Sequence, residues 1–253
     1  MGTVLTNDYH WQNKILQKST LAPIKKIKIV GTARQKKLAL VYNQFGGLLT
    51  TLSHSLVLDL AVGLAVICVE SSGEAFKGDK MMIRFEPHWF YKLWGKNNRA
   101  VFDRHFKLSN WKGETHFYRE AAAKSRWQGF HGDQPKEWAV FTLARGLDEN
   151  AAIKSTSMGL GQIMGFNHKQ IGYGTAKEMF ENFSKDARYQ ILGIFDFMSK
   201  AMIKSLQRAD FIGFARAYNG SGQAKTYGRL IEGHVKEWEK VLGTARVAPT
   251  LRL

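Results

Sequence analysis

The chain has 253 residues, with 37 Lys and Arg against 21 Asp and Glu, a single Cys and four Pro, for a net charge of +16. A chain of this length that is 44% hydrophobic can bury a sizeable core, which excludes wholesale disorder. One Cys excludes an intrachain disulfide framework and a Cys-rich zinc site, and suits a reducing cytosol. The charge calls for an anionic partner: nucleic acid, a phosphate-rich envelope or an anionic membrane surface.

Residues 1–37 read as a basic, weakly patterned extension, with eight Lys and Arg against one acid, Asp8. A flexible solvated tail, an electrostatic anchor and a small accessory element all fit this composition. The extension contains no apolar run of signal-peptide length. From there Leu38, Val41, Tyr42, Phe45, Leu48, Leu49 and Leu52 recur at helical spacing. Residues 56–69, LVLDLAVGLAVICV, are the most hydrophobic stretch, but they are too short to span a bilayer and contain Asp59. They predict a core helix that Asp59 caps and Gly73 can stop. Residues 81–86, MMIRFE, predict a short strand closed by Pro87. Residues 95–133 are polar, aromatic and poorly periodic, and no element is assigned there. Residues 136–147 predict a helix with Val140, Leu143 and Leu147 on one side and Trp138, Phe141 and Arg145 on the other. Thr175 and Glu178 match a capping box that opens a helix carrying Met179 and Phe180. Further helices are predicted over 189–203, 211–218 and 224–242. The expected fold is mainly α with one small β element.

Glu70 closes a run of ten apolar residues, so its carboxyl is expected at the edge of the core. Desolvation raises a carboxyl pKa, and an acid that stays protonated near neutral pH can donate a proton to a leaving oxygen, as glycosidic cleavage requires. A helix-terminal Glu that simply reaches water has the same local sequence. The eight His show no HExxH or other metal spacing, and residues 159–165 lack the Lys-Ser/Thr of a nucleotide loop, so no metal and no cofactor is expected. His88 and His168 read as packed or hydrogen-bonding residues, and Cys68 as a small hydrophobe.

Three segments stand in order: Glu70-Ser71 followed by Gly73, then Ser157-Met158-Gly159-Leu160-Gly161-Gln162-Ile163-Met164, then Ala217-Tyr218-Asn219-Gly220. The triplet resembles the lysozyme-like superfamily of soluble lytic transglycosylases and goose-type lysozymes. A closer resemblance, over residues 38–243, is to the N-acetylmuramidase domain of phage endolysins. It is carried by YNQFGGLL at 42–49, AVICVES at 65–71, FEPHWFY at 85–91, GLGQIMGFNH at 159–168 and YNGSG at 218–222. Ser221 stands where the family has Pro, a departure in a loop. The resemblance implies a lysozyme-like catalytic domain over residues 38–253. In it Glu70 is the general acid that cuts the β-1,4 bond between N-acetylmuramic acid and N-acetylglucosamine. Glu86 is the candidate second carboxylate, with an ion pair to Arg84 or an N-cap role before Pro87 as its ordinary alternatives; Asp79 and Asp103 are weaker candidates. Ser71, Gly159, Gln162, Phe166, Tyr218 and Asn219 are the candidate substrate contacts. Glycines allow close backbone approach, the Gln162 amide can donate and accept, and Tyr218 and Asn219 suit stacking and hydrogen bonding to a sugar. For Gly159 and Gln162 a packed helix of small residues is the ordinary alternative, and for Tyr218 and Asn219 a buried Tyr beside a capping Asn.

The resemblance also implies peptidoglycan glycan strands as the substrate, a monomer, no nucleic-acid partner, synthesis in a bacterial cytoplasm without a signal peptide, and action on the cell wall after release. Three other readings stay open: a lytic transglycosylase that leaves an anhydro sugar, a muramidase toxin delivered to a rival's periplasm, and a non-catalytic basic module that binds nucleic acid or other anions. Residues 1–37 carry +7, and residues 200–253, with ten basic and four acidic residues, carry +6. Most of the charge therefore lies at the termini, where it suits an anionic cell envelope.

Overall fold

The computed structural model describes residues 9–70, 74–108, 116–120 and 125–245. The helices in chain order are α1 (Lys14–Lys18), α2 (Ala33–Ser55), α3 (Leu60–Glu70), α4 (Pro87–Leu93), α5 (Arg99–His105), α6 (Gln134–Leu147), α7 (Glu149–Lys154), α8 (Ala176–Lys185), α9 (Ala187–Phe197), α10 (Lys200–Gln207), α11 (Phe211–Asn219) and α12 (Ala224–Ala245). The strands are β1 (Phe76–Lys77), β2 (Lys80–Met81), β3 (Ile83–Phe85), β4 (Phe106–Lys107), β5 (Phe117–Tyr118), β6 (Gln128–Gly129), β7 (Thr156–Met158) and β8 (Ile163–Met164). They pair into three small antiparallel sheets, ordered β1-β2, β3-β7-β8 and β4-β5-β6. The architecture is mainly α, as expected, with the β structure spread over these short sheets. Two compact units divide the chain: residues 1–73 with 191–253, and residues 74–190.

The first unit is built on α3. Asp59 Oδ1 accepts from Ala61 N at 2.7 Å, the cap expected from the sequence. Leu64, Ala65, Val66 and Ile67 are fully buried, and Ala61, Val62 and Cys68 nearly so. Burial on every side explains why the helix is apolar all round. It packs against α2 and α12. Gly63 makes close approach to α2 possible, because a Cβ there would lie 2.6 Å from the buried Ser53 Oγ. The carbonyl of Cys68, in the last turn of α3, accepts from Lys37 Nζ at 2.6 Å, a cation placed at the negative end of the helix.

The described part of the basic extension is docked on this unit. Leu16 is buried, the His10 ring bonds Asp196 at 2.6 Å, and the Asn43 side chain brackets Ile27 through its N–H and its carbonyl. The helix expected from Leu38 begins at Ala33, because Thr32 and Gln35 form a reciprocal capping box.

The remaining differences from expectation have local causes. The helix predicted over 189–203 is two helices, since Ser199 caps a new one by accepting from Met202 N. The strand predicted at 81–86 is split at Met82 between β2 and β3, which belong to different sheets. The unassigned stretch 95–133 holds α5 and the sheet β4-β5-β6, whose two-residue strands are too short to show a period. The core face of α6 is Glu137, Val140, Phe141 and Ala144, whereas Leu143 and Leu147 are only half-buried. Thr175 caps α8 as expected, but Glu178 reaches back to Gly174 N at 2.9 Å, so only half of the capping box forms. Gly73, the expected stop of α3, lies outside the described residues. No single helix among the described residues is long and apolar enough to cross a membrane.

The contact between Gly63 and Ser53 is testable. Gly63→Val is expected to cost about 2 to 3 kcal/mol in a urea melt through overpacking. Gly63→Ala combined with Ser53→Ala is expected to stay near wild type, because the opposing hydroxyl is gone.

Candidate functional site

The second unit brings a set of ionisable side chains to the junction of β3 and α4. Glu86 sits at the N-cap position of α4, with Pro87 as the first helical residue and no capping bond from its side chain. Its backbone N–H donates to Ser155 O at 2.9 Å, continuing the pairing of β3 with β7. Its carboxylate is 17% exposed; Oε1 accepts from Arg84 Nε at 2.9 Å and Oε2 lies 3.5 Å from His88 Nδ1. Both ordinary uses read from the sequence are thus visible, the ion pair fully and the N-cap by position alone. Burial pushes the His88 imidazole below its usual pKa, against the pull of Glu86.

His116 and His131 stand beside this carboxylate. One donor atom each from Glu86, His116 and His131 lie within 4.8 Å of one another. The His116 ring is 5.2 Å from that of His131 and 6.0 Å from that of His88, centroid to centroid. Linear spacing hides this group, because its members come from three segments separated by 30 and 15 residues. Next to His131 is Glu137, which no motif in the sequence marks. Its carboxylate is 1% exposed, accepts from Phe85 N at 2.9 Å through one oxygen, and bonds His131 Nδ1 at 3.0 Å through the other. The signal that could have found it is the period of α6: Glu137 occupies the same face as Val140, Phe141 and Ala144.

The segment 157–164 is a hairpin, β7 and β8, rather than a helix of small residues. Gln162 takes a left-handed backbone conformation, φ 45°, in the turn. Its amide is engaged within the hairpin: Oε1 accepts from Ser157 Oγ and Nε2 donates to Gly159 O, both at 2.9 Å. The residue is exposed, and by the donor and acceptor count of an amide one N–H and one lone pair remain for a ligand. Gly159 has φ 66°, and a Cβ there would lie 2.6 Å from the Gln190 side chain, so packing already demands glycine. Gln190 is fully buried and holds the turn by accepting from Leu160 N at 2.9 Å. Phe166 pairs with Trp89 of α4, ring centroids 4.7 Å apart, and Lys92 lies over the Trp89 ring at 4.3 Å.

The other predicted residues belong to the first unit. Glu70 is the last residue of α3, and Ser71 lies outside the described residues. Tyr218 and Asn219 end α11, with the Tyr218 ring half-buried against Phe214 and Phe197 at 5.4 and 5.7 Å. Burial pushes the Cys68 thiol up to about 12, with Lys37 opposing. That thiol stays protonated at neutral pH, which agrees with its reading as a hydrophobe rather than a nucleophile.

The profile of the N-acetylmuramidase family matches residues 59–239, more than half of the chain and a span that includes Glu70, Glu86, Gln162 and Tyr218. The chain belongs to the N-acetylmuramidase family. It is a peptidoglycan-degrading muramidase. Among solved structures, the crystal structure of the Burkholderia AP3 phage endolysin is similar to this muramidase at 25% identity and a TM-score of 0.60, over 76% of this chain and 70% of that one. No curated protein matches. The family resemblance drawn from the motifs is therefore borne out, and the non-catalytic reading of the charge gives way to an enzyme of the cell wall.

Cys68 supplies a check on the muramidase core. With its thiol near 12, roughly one molecule in ten thousand carries a thiolate at pH 8. Reaction with a thiol reagent is expected to be negligible over an hour in the native protein and complete within minutes in guanidinium. Rapid native labelling would show that α3 opens readily.

Proposed function

We propose that this muramidase cuts the β-1,4 bond between N-acetylmuramic acid and N-acetylglucosamine, with Glu70 as general acid, and that it serves as a phage endolysin. The observation that carries the assignment is the position of Glu70, the last residue of a helix whose other residues are almost all buried and apolar. Cleavage of a glycosidic bond requires an acid that can protonate the bridging oxygen, and a Glu that closes an apolar helix supplies that residue type. The endolysin role draws on the similarity to the Burkholderia AP3 phage endolysin. The enzyme would reach the wall after release from the cytoplasm and use its basic terminal segments against the anionic envelope.

Glu86 is the candidate second carboxylate. Its pairing with Arg84 suits electrostatic stabilisation of positive charge on the sugar ring better than covalent attack. Gln162, Phe166, Tyr218 and Asn219 would contact the glycan strand, and Gly159 would serve by shaping the Gln162 turn. Ser71 would border the acid.

Glu70→Gln is expected to keep the wild-type circular dichroism and Tm while lowering clearance of permeabilised cells or purified peptidoglycan by about a hundredfold or more. Wild-type clearance by the variant would remove the assignment. Glu86→Gln is expected to give a smaller loss, in kcat rather than KM. Mass spectrometry of the products separates hydrolysis from the transglycosylase reading, since an anhydromuramoyl product lacks one water.

A further inference from the structure

We propose that Glu86, His116 and His131 bind a divalent transition-metal ion of the zinc class, with Glu137 as the residue that orients His131. Three observations carry this. The donor atoms of the three residues already lie within 4.8 Å of one another. His131 is nine-tenths buried, and its Nε2 is buried without a hydrogen-bond partner. Its Nδ1 is bonded to a carboxylate that also accepts from the Phe85 backbone, so Glu137 acts as an acceptor on both oxygens.

The consequence for His131 is chemical. With the Glu137 carboxylate as acceptor the ring proton sits on Nδ1, and the buried Nε2 keeps its lone pair for a ligand. A doubly protonated ring would instead bury an N–H with no acceptor. A carboxylate behind a neutral imidazole, with the far nitrogen free to ligate, is the arrangement that fixes tautomer and ring direction at metal-bound histidines. Two imidazoles and one carboxylate select a borderline cation such as Zn2+ over Ca2+ or Mg2+, which take oxygen ligands.

Zinc–nitrogen bonds of about 2.0 Å put tetrahedral ligands roughly 3.3 Å apart, so the donors must draw in by up to about 1.5 Å. His131 is held by Glu137, and the movement falls to Glu86 and His116, both half-buried. Arg84 keeps Oε1 of Glu86 and leaves Oε2, near His88 Nδ1, for the ion. A water completes the site. The ion would tie together the start of α4, the segment before β5 and the turn before α6. A filled site commits the Glu86 carboxylate to the metal, so its use as a second carboxylate belongs to the metal-free enzyme.

Metal binding does not depend on the acid Glu70, so the inference is tested on the Glu70→Gln protein after dialysis against chelator. Titration with Zn2+ in a calorimeter is expected to show one equivalent bound at micromolar affinity or tighter, with a rise in Tm. His116→Ala and His131→Ala are each expected to weaken binding by at least a hundredfold, and Glu137→Gln by about ten- to a hundredfold. His54→Ala, an exposed site on α2, is expected to change nothing. Should the buried variants fail to fold, Co2+ added to the unsubstituted chain gives a second reading, with visible bands of tetrahedral nitrogen and oxygen ligation expected. No binding and no cobalt bands, or binding unchanged in His116→Ala, would overturn the proposal and leave a hydrogen-bonded His–Glu cluster.

Discussion

A carboxylate that is 1% exposed must have its oxygens satisfied by the protein, and Glu137 meets that demand by joining parts of the second unit that are far apart in sequence. One oxygen takes the Phe85 N–H, which pins the end of β3 immediately before Glu86. The other takes His131 Nδ1, which sets the direction of that ring. Gln134, three residues earlier on α6, repeats the device by bonding both the N–H and the carbonyl of Ile83. Strand β3 is therefore held from one side by polar groups of α6 and from the other by β7. The position of Glu86 follows from that clamp. Replacing the buried acid would leave Phe85 N–H and His131 without partners, so its influence on the site is larger than its distance from solvent suggests.

The first unit solves the opposite problem. Helix α3 has almost no polar groups to satisfy beyond its ends, and the two ends are treated individually: Asp59 caps the start, and Lys37 binds a carbonyl of the last turn. Apolar burial runs along most of the helix, whose last residue is Glu70. The same unit takes up the basic extension through Leu16 and the His10–Asp196 pair, which draws residues of that segment into packing.

The hairpin of β7 and β8 shows how one short residue pattern meets two packing demands at once. Gly159 is demanded by the buried Gln190, while the neighbouring exposed Gln162 spends half of its amide on holding its own turn. A side chain fixed in this way has little rotamer entropy left to lose. The Trp89–Phe166 pair adds a partly exposed aromatic surface on the same unit.

The sequence by itself determined the helical class, the buried α3 with its Asp59 cap and terminal Glu70, and the family, because those rest on period, capping chemistry and motifs that are local in the chain. It also located Glu86 and the ion pair with Arg84, two residues apart. Only the tertiary structure decided the rest. The two-residue strands of residues 95–133 carry no period to read, and the break before α10 depends on a single Ser199 hydroxyl. Glu137 was hidden because a charged residue on a helix is ordinarily read as solvent-facing, and only a specific pair of donors reverses that. The gathering of Glu86, His116 and His131 was hidden for a related reason: metal spacing is legible in a sequence when the ligands share one helix or loop, and these come from three segments that meet through folding.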